Sequence, residues 1–213
     1  MLLESRSLWV AETNTYVLAV ESGGPAVVID APPDPKGIGA LLADNDLYPA
    51  ALLLTHGHID HMGGAGSMAR SREMAVYVHP DDDFLTLHPE QQLQMLFGMA
   101  PAGDYAPPER RIDLADGLKL EVGGVDIEVL HTPGHTPGHC CFFVEGEGLL
   151  FSGDQLFAGS IGRTDLPGGD YETLMDSMTN KILPLAGDVI VHPGHGPATT
   201  LARERLHNPF LQV

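Results

Sequence analysis

Four side chains that commonly bind metal ions lie within six residues of this sequence. His56, His58, Asp60 and His61 follow the unbroken apolar run Ala50–Leu54, which is suited to a buried strand. His56 and His58 alternate, so an extended backbone would project them to the same side, while a turn would direct Asp60 and His61 to a second point. Histidines this crowded would repel one another if protonated and lose hydration if neutral, unless a cation organises them. The spacing therefore predicts a metal site at the end of a strand.

Three further candidate ligands occur later in the chain, each just after a predicted strand. His135 lies in the segment Gly-His-Thr-Pro-Gly, Asp154 in Ser-Gly-Asp and His195 in Pro-Gly-His-Gly. Any one of them alone is what a turn would show, since glycine, proline and aspartate are turn residues. Strand ends can, however, bring residues that are distant in sequence to one rim of a sheet. The three are therefore candidates for the same site.

The order of the predicted elements indicates the fold class. With 213 residues, 43% of them hydrophobic and 19% charged, the chain is predicted to form a single globular domain over residues 1–213. Strands occur in two blocks, each interrupted and followed by helices, which favours an α/β fold of the αββα type, with two mixed β-sheets packed face to face and helices outside. The predicted helices cover Pro35–Leu47, Gly63–Arg72, Asp81–Gly98, Tyr171–Leu183 and Thr199–His207, and Met99–Pro108 is predicted to be a loop.

Composition excludes several classes of partner. A formal net charge of −18 opposes nucleic-acid binding, which depends on lysine and arginine. No apolar run is long enough to span a membrane, and the N-terminal residues lack the pattern of a signal peptide, so we expect a cytoplasmic protein that neither binds nucleic acid nor enters a membrane. The adjacent Cys140 and Cys141 are expected to fill a strand rather than form a disulfide.

Taken together, the H-x-H-x-D-H segment and the three later ligands resemble the metal-binding pattern of the metallo-β-lactamase superfamily. The resemblance implies two divalent metal ions, with Asp154 bridging them. It assigns His56, His58 and His135 to one metal and Asp60, His61 and His195 to the other. It also implies that Asp30, at the end of the strand Ala26–Ile29, hydrogen-bonds near the metal loop. Zinc suits these ligands, and imidazole and carboxylate groups also accept iron or manganese.

Within that superfamily, the segment from Asp154 to Asp170 resembles the corresponding loop of glyoxalase II-like hydrolases, and Asn208–Leu211 resembles the C-terminal segment of their short, single-domain members. The resemblance implies a small-molecule thioester substrate such as S-lactoylglutathione, a metal-bridging hydroxide that attacks the acyl carbonyl, and a catalytic role for Asp60 in orienting it. Arg163 falls where that family contacts glutathione; a surface salt bridge with Asp165 is the equal alternative.

The family pattern is not complete, and two other functions stay open. Glyoxalase II carries Glu-Tyr after the last histidine, where this chain has Gly196-Pro197, so another thiol carrier could replace glutathione. The Gly-Arg-Thr-Asp segment also resembles persulfide dioxygenases, which would hold a single Fe(II) through His56, His135 and Asp154. A non-catalytic metal-binding protein on the same fold would lack at least one ligand, and all seven are present.

Overall fold

The computed structural model describes residues 1–72, 74–99, 101, 103, 105–185 and 188–212. Its strands are β1 (Leu2–Leu8), β2 (Thr13–Ala19), β3 (Pro25–Ile29), β4 (Tyr48–Leu53), β5 (Ala75–Val78), β6 (Arg111–Asp113), β7 (Lys119–Val122), β8 (Val125–His131), β9 (Cys140–Val144), β10 (Leu149–Gly153), β11 (Leu156–Phe157), β12 (Ser160–Ile161), β13 (Ile190–Pro193) and β14 (Thr199–Thr200). Its α-helices are α1 (Pro35–Asp44), α2 (Ile59–Met62), α3 (Ala65–Arg72), α4 (Asp83–Thr86), α5 (Pro89–Phe97), α6 (Tyr171–Ser177) and α7 (Leu201–His207).

Two mixed six-stranded sheets form the centre of the molecule. The first has the order β1-β2-β3-β4-β5-β6 and the second the order β14-β13-β10-β9-β8-β7, while β11 and β12 form a separate hairpin. In the first sheet β3, β4, β5 and β6 run parallel, and in the second β10 runs parallel to β13. The predicted division of the strands into two blocks is confirmed.

Three apolar clusters show that these sheets form the inner layers of a sandwich. Phe142 and Phe151 lie in the cluster between the sheets, with Ile29 and Leu53 from the first sheet. A second cluster packs α1 and α3 against the outer face of the first sheet, and a third packs α6 and α7 against the second sheet. Because both faces of the central strands are covered, β9 and β10 are buried at every position. The predicted αββα sandwich is confirmed.

Several element boundaries differ from the sequence prediction. The single helix predicted over Asp81–Gly98 is wrong: the segment contains a 3-10 turn at Pro80–Asp82 and then α4 and α5. Pro89 causes the break, because proline disfavours helical backbone at the preceding His88, which has φ −132° and ψ 55°.

At the C-terminal side, the helix predicted from Thr199 begins two residues later, after the short strand β14. Thr200 caps this helix by accepting a hydrogen bond from the Arg203 amide.

The helix predicted over Tyr171–Leu183 is also divided. Its α-helical part, α6, ends at Ser177, and the chain continues as a π-helical turn over Met178–Ile182. Of the predicted loop Met99–Pro108, residues 100, 102 and 104 lie outside the described residues.

The two cysteines lie in a strand, as the sequence predicted. Cys140 and Cys141 are free and buried in β9, and burial raises the pKa of Cys141 to about 12. No described helix has both the length and the apolar character that crossing a membrane requires.

Candidate metal centre

Four strands deliver the seven predicted ligands to one rim of the sandwich. The first sheet supplies His56 and His58 in the loop after β4, and Asp60 and His61 on the single turn of α2. The second sheet supplies His135 between β8 and β9, Asp154 directly after β10 and His195 two residues after β13. The two sheets thus contribute opposite halves of one site.

The three histidines predicted to share a metal converge on one point. Nε2 of His56 lies 3.1 Å from Nδ1 of His58, and that Nδ1 atom lies 2.9 Å from Nε2 of His135. The third side, between the Nε2 atoms of His56 and His135, measures 3.2 Å. Ligand nitrogens about 2.0–2.1 Å from a tetrahedral metal ion would stand about 3.3 Å apart, so the triangle has the size that a metal requires. All three side chains are buried.

The second predicted set is equally compact. Nε2 of His61 lies 3.3 Å from Nε2 of His195 and 3.4 Å from Oδ2 of Asp60. Oδ2 of Asp60 lies 3.2 Å from Nε2 of His195, which closes the triangle. These three atoms, from three side chains, form a second group that could hold a metal ion.

Asp154 lies between the two sets. Its Oδ1 is 3.4 Å from Nε2 of His61, and its Oδ2 is 3.6 Å from Nε2 of His135 and 3.7 Å from Nε2 of His195. Among the described residues Oδ1 is buried without a hydrogen-bond partner, which is costly unless a cation takes that place. A Cβ atom on Gly194 would stand 2.3 Å from this oxygen, so glycine keeps the space open. The donor set therefore fits two divalent cations.

Hydrogen bonds fix which nitrogen of His56 is available. The Thr55 hydroxyl lies 2.8 Å from Oδ2 of Asp30 and 3.0 Å from Nδ1 of His56. A carboxylate only accepts, so the hydroxyl donates its single proton to Asp30 and must accept from the Nδ1–H of His56. Nε2 of His56 is left with a lone pair directed at the histidine triangle.

Hydrogen bonds from Nδ1 orient two other imidazoles in the same way. Nδ1 of His61 donates to Oδ2 of Asp30 over 2.8 Å, and Nδ1 of His135 donates to the Arg163 carbonyl over 2.7 Å. With the Nδ1 proton engaged in this way, the neutral form of each ring carries its lone pair on Nε2, which is the atom that faces the site and can bind metal. Asp30 itself has φ +58°, and its carboxylate also accepts from the Thr55 amide over 2.8 Å. The structure thus places Asp30 behind both ligand sets, where it orients His61 directly and His56 through Thr55.

Burial keeps the first set neutral. It is the largest cause that holds the pKa of His56 well below its usual value, with the charges of His61 and His135 adding to it. Burial also lowers the pKa of His58 to about 3 and that of His135 to about 4. Neutral imidazole is the form that donates a lone pair to a metal.

In the second set, Asp60, His61 and His195, the pKa shifts favour charged side chains instead of neutral ones. Burial would lower the pKa of His61, but Asp60, Asp154 and Asp30 raise it well above its usual value. Burial would likewise raise the pKa of Asp60, but His61 and His195 hold it well below its usual value. The carboxylates around His61 thus favour a positive charge there, which a divalent cation would supply.

A buried carboxylate that the sequence analysis did not single out joins the two metal-binding loops. Asp82 accepts hydrogen bonds from the Gly57 amide at 2.7 Å, the Thr136 hydroxyl at 2.8 Å and the Gly138 amide at 2.7 Å. Burial raises the pKa of Asp82, whereas these three donors act to lower it. The only sequence signal for Asp82 was its position in a run of three aspartates after Pro80. Such a run is typical of the exposed start of a helix, so it did not predict a buried carboxylate.

Two other buried side chains were also missed. Gln92 on α5 accepts from the Ile59 amide over 3.0 Å and donates to the Gly57 carbonyl over 2.9 Å, so it supports the loop that carries His58. His139 accepts from the Asp154 amide through Nε2 over 3.1 Å. Its position just before the buried strand β9, in the same histidine-rich segment as His135, was the available signal.

Arg163 takes part in the site in two ways. Its carbonyl orients His135, and its guanidinium donates through Nε and Nη2 to the two carboxylate oxygens of Asp165, each over 2.7 Å. The salt bridge considered in the sequence analysis is therefore present. A role of Arg163 in substrate binding stays a prediction.

An open cleft of about 520 Å³ leads to the ligands. Five of them, namely His58, Asp60, His135, Asp154 and His195, form its floor. The walls are Ala11, Leu96, Phe157, Ile161, Arg163 and Leu166. The volume is that of a site for a small organic molecule.

Comparison with known proteins identifies the family. Residues 9–198 match the family model described as the metallo-beta-lactamase superfamily, and the chain belongs to that superfamily. Hydroxyacylglutathione hydrolase GloC of Haemophilus influenzae is 39% identical over 186 residues, which cover 87% of each protein. The αββα fold and the resemblance seen in the sequence are thereby confirmed.

Two solved structures share nearly the whole fold. A structure described as BLEG-1 B3 metallo-beta-lactamase superposes with a TM-score of 0.91 at 38% identity and covers 100% of both chains. A di-iron-bound form of TTHA1623 superposes with a TM-score of 0.87 at 38% identity, covering 98% of this chain and 100% of the other. Members of this fold bind divalent metals, and the iron in one of them shows that zinc is not the only metal such a fold takes up.

Proposed function

We propose that this protein is a metal-dependent hydrolase of thioesters, of the hydroxyacyl class to which S-lactoylglutathione belongs. The observation that carries the proposal is the pair of ligand sets joined through Asp154 at the floor of an open cleft. The 39% identity to a hydroxyacylglutathione hydrolase supports the same substrate class. The net charge of −18 favours a small molecule over nucleic acid as the partner.

The residues divide the chemistry in a simple way. One divalent cation would be held by His56, His58 and His135. A second would be held by Asp60, His61 and His195, and Asp154 would bind both cations. Two such cations lower the pKa of a water molecule toward about 7 and polarise an acyl carbonyl oxygen.

Asp60 faces the cleft as a carboxylate whose pKa is held low, so it can orient a water molecule by accepting a hydrogen bond from it. The Thr13 hydroxyl donates to Oδ2 of Asp60 over 3.1 Å and fixes its orientation. The departing thiolate, whose conjugate thiol has a pKa of about 8.5, needs no proton from an acid.

Hydrolysis of S-lactoylglutathione by protein loaded with zinc, iron or manganese tests this function. We expect turnover that is lost in Asp154→Ala, because this substitution removes a ligand that both sets share. Elemental analysis of each sample supplies the control. Protein with about two metal ions per chain and no turnover of any thioester would reject the proposal.

Opening of a β-lactam ring is a second candidate, favoured by the likeness over the full chain to a structure described as a B3 metallo-beta-lactamase. An amide nitrogen must be protonated as it leaves, whereas a thiolate need not be, and the guanidinium of Arg163 on the described walls of the cleft does not give up a proton. The proton would have to come from the attacking water through a group such as Asp60, which is an additional transfer that thioester hydrolysis does not need. Thioesters therefore fit the site better. A chromogenic cephalosporin, assayed beside the thioester with the same metal-loaded sample, compares the two activities.

A further inference from the structure

Building on the proposed function, we infer that the cleft prefers thioesters of an uncharged thiol, with apolar groups flanking the reacting carbonyl, over thioesters of glutathione. Glutathione carries two carboxylates, which a specific site must match with cations or with amide donors. The apolar walls of the cleft, the pairing of the single cation among them and the net charge of the chain all disfavour such a ligand.

The walls beyond the metal ligands are almost entirely apolar. Five of their six residues are Ala11, Leu96, Phe157, Ile161 and Leu166. Phe157, on the hairpin β11–β12, lies with its ring centroid 6.2 Å from that of His195, so an apolar surface begins directly beside a predicted ligand. Such walls gain free energy by covering methylene groups and lose it by dehydrating a carboxylate.

Arg163 is the one lysine or arginine among the described residues that line the cleft, and it is already paired. Two of its three guanidinium nitrogens donate to Asp165, so a substrate carboxylate would have to compete with Asp165 for this guanidinium. Three other described cations have acidic partners of their own, in the pairs Arg6–Asp44, Arg111–Asp83 and Lys181–Asp116. The net charge of −18 adds a general repulsion of anions.

Exposed apolar side chains stand next in sequence to two of the wall residues. Val10, beside Ala11, is 67% exposed, and Met95, beside Leu96, is 48% exposed. Met99, just after α5, is 66% exposed. The segments that supply Ala11 and Leu96 to the walls therefore also expose large apolar side chains.

The test compares matched thioesters of two thiols, N-acetylcysteamine, which is uncharged, and glutathione, each carrying the same lactoyl or hexanoyl group. We expect kcat/KM to be at least about tenfold higher for the uncharged thiol. With that thiol fixed, kcat/KM should rise about fourfold for each of the first methylene groups added to the acyl chain.

A charge placed on the wall should change this preference in a predictable direction. Leu166→Lys adds a cation at a half-exposed loop position, so it should raise kcat/KM for the glutathione thioester relative to the uncharged one by about tenfold. Leu166→Gln makes the same position polar without adding a charge, so it should leave the ratio of the two kcat/KM values unchanged. Leu206→Lys, on the outer helix α7 where the native side chain is 69% exposed, is the matched control for added charge and should leave the ratio unchanged.

The outcomes separate the inference from the function beneath it. If metal-loaded protein hydrolyses both thioesters and glutathione is equal or better, the inference is overturned while the hydrolase function stands. The same holds if Leu166→Lys and Leu206→Lys shift the ratio equally. If neither thioester is hydrolysed, the proposed function fails and the inference fails with it.

Discussion

At the scale of single residues, the Thr55 hydroxyl decides which nitrogen of His56 faces the metal centre. It donates to Asp30 and accepts from His56, so one small side chain transmits the orientation of a buried carboxylate to a ligand. The sequence predicted Asp30 near the metal loop but gave no reason to connect it to His56. That connection requires the positive φ of Asp30 and the end of β4, neither of which is visible in a pattern of residue types.

Thr55→Val should weaken metal binding by about 10–100-fold, because it keeps the shape of the side chain and removes the acceptor for His56. Thr55→Ser retains the hydroxyl and should bind metal nearly as well as the native protein. Competition with a chromogenic chelator measures both affinities. Equal affinity for the valine and serine variants would show that the relay does not orient His56.

His58 should make the metal-free protein sensitive to acid. Burial holds its native pKa at about 3, below the value of about 6.5 expected in the unfolded chain, so the unfolded state takes up a proton first as the pH falls. The contribution of His58 to stability is therefore complete above pH about 6.5 and declines below it.

His58→Gln isolates this contribution, since glutamine does not titrate. In the presence of a chelator, the free energy of unfolding of the native protein minus that of the variant should be constant above pH about 6.5. Below it, the difference should fall with a slope approaching about 1.4 kcal/mol per pH unit. Urea unfolding at a series of pH values measures it, and a flat difference between pH 7 and 4.5 would contradict the burial argument.

At the scale of elements, Asp82 fastens two loops that come from different sheets. Gly57 belongs to the loop after β4, and Thr136 and Gly138 belong to the loop before β9, so one carboxylate holds His58 and His135 in register. The three-histidine triangle depends on that register, because its sides measure only 2.9–3.2 Å.

Asp82→Asn should cost about 1–3 kcal/mol of stability, since one oxygen is replaced by an amide group that faces a buried N–H donor. It should also weaken metal binding at the histidine triangle. Asp81→Asn is the matched control, because Asp81 is an exposed neighbour with the same side chain. Chemical denaturation and metal titration give the two quantities, and similar behaviour of both variants would rule out the fastening role.

Features that depend on neighbouring residues could be predicted from the sequence, whereas features that depend on residues far apart in the chain could not. Strands such as β3 and β9 could be read from local apolar runs, and the ligands from their spacing around His56. The break of the predicted helix Asp81–Gly98 could have been read from Pro89, since the effect of proline is local. The role of Asp82 could not, because its partners lie 25 to 56 residues away and no local pattern records them.

At the scale of the whole molecule, the metal centre lies across the seam of the sandwich. His56, His58, Asp60 and His61 belong to the first sheet, and the other three ligands belong to the second. The sequence predicted this convergence only through the order of ligands after strands. The short distances within each set of three ligand atoms result from packing between sheets whose strands are far apart in the sequence. The apolar walls above the ligands result from the same packing.

Bound metal should therefore stabilise the association of the two sheets as well as the site itself. A ligand present at about a thousandfold its dissociation constant stabilises the native state by about 4 kcal/mol, which for a chain of this size raises Tm by about 8–16 °C. We expect a chelator to lower Tm by an amount in this range when thermal unfolding is followed by circular dichroism. Asp154→Ala removes the carboxylate common to both sets, so its Tm should respond much less to the chelator. A native protein whose Tm is unchanged by chelation, with metal loss verified by elemental analysis, would show that the two sheets hold together without the metals.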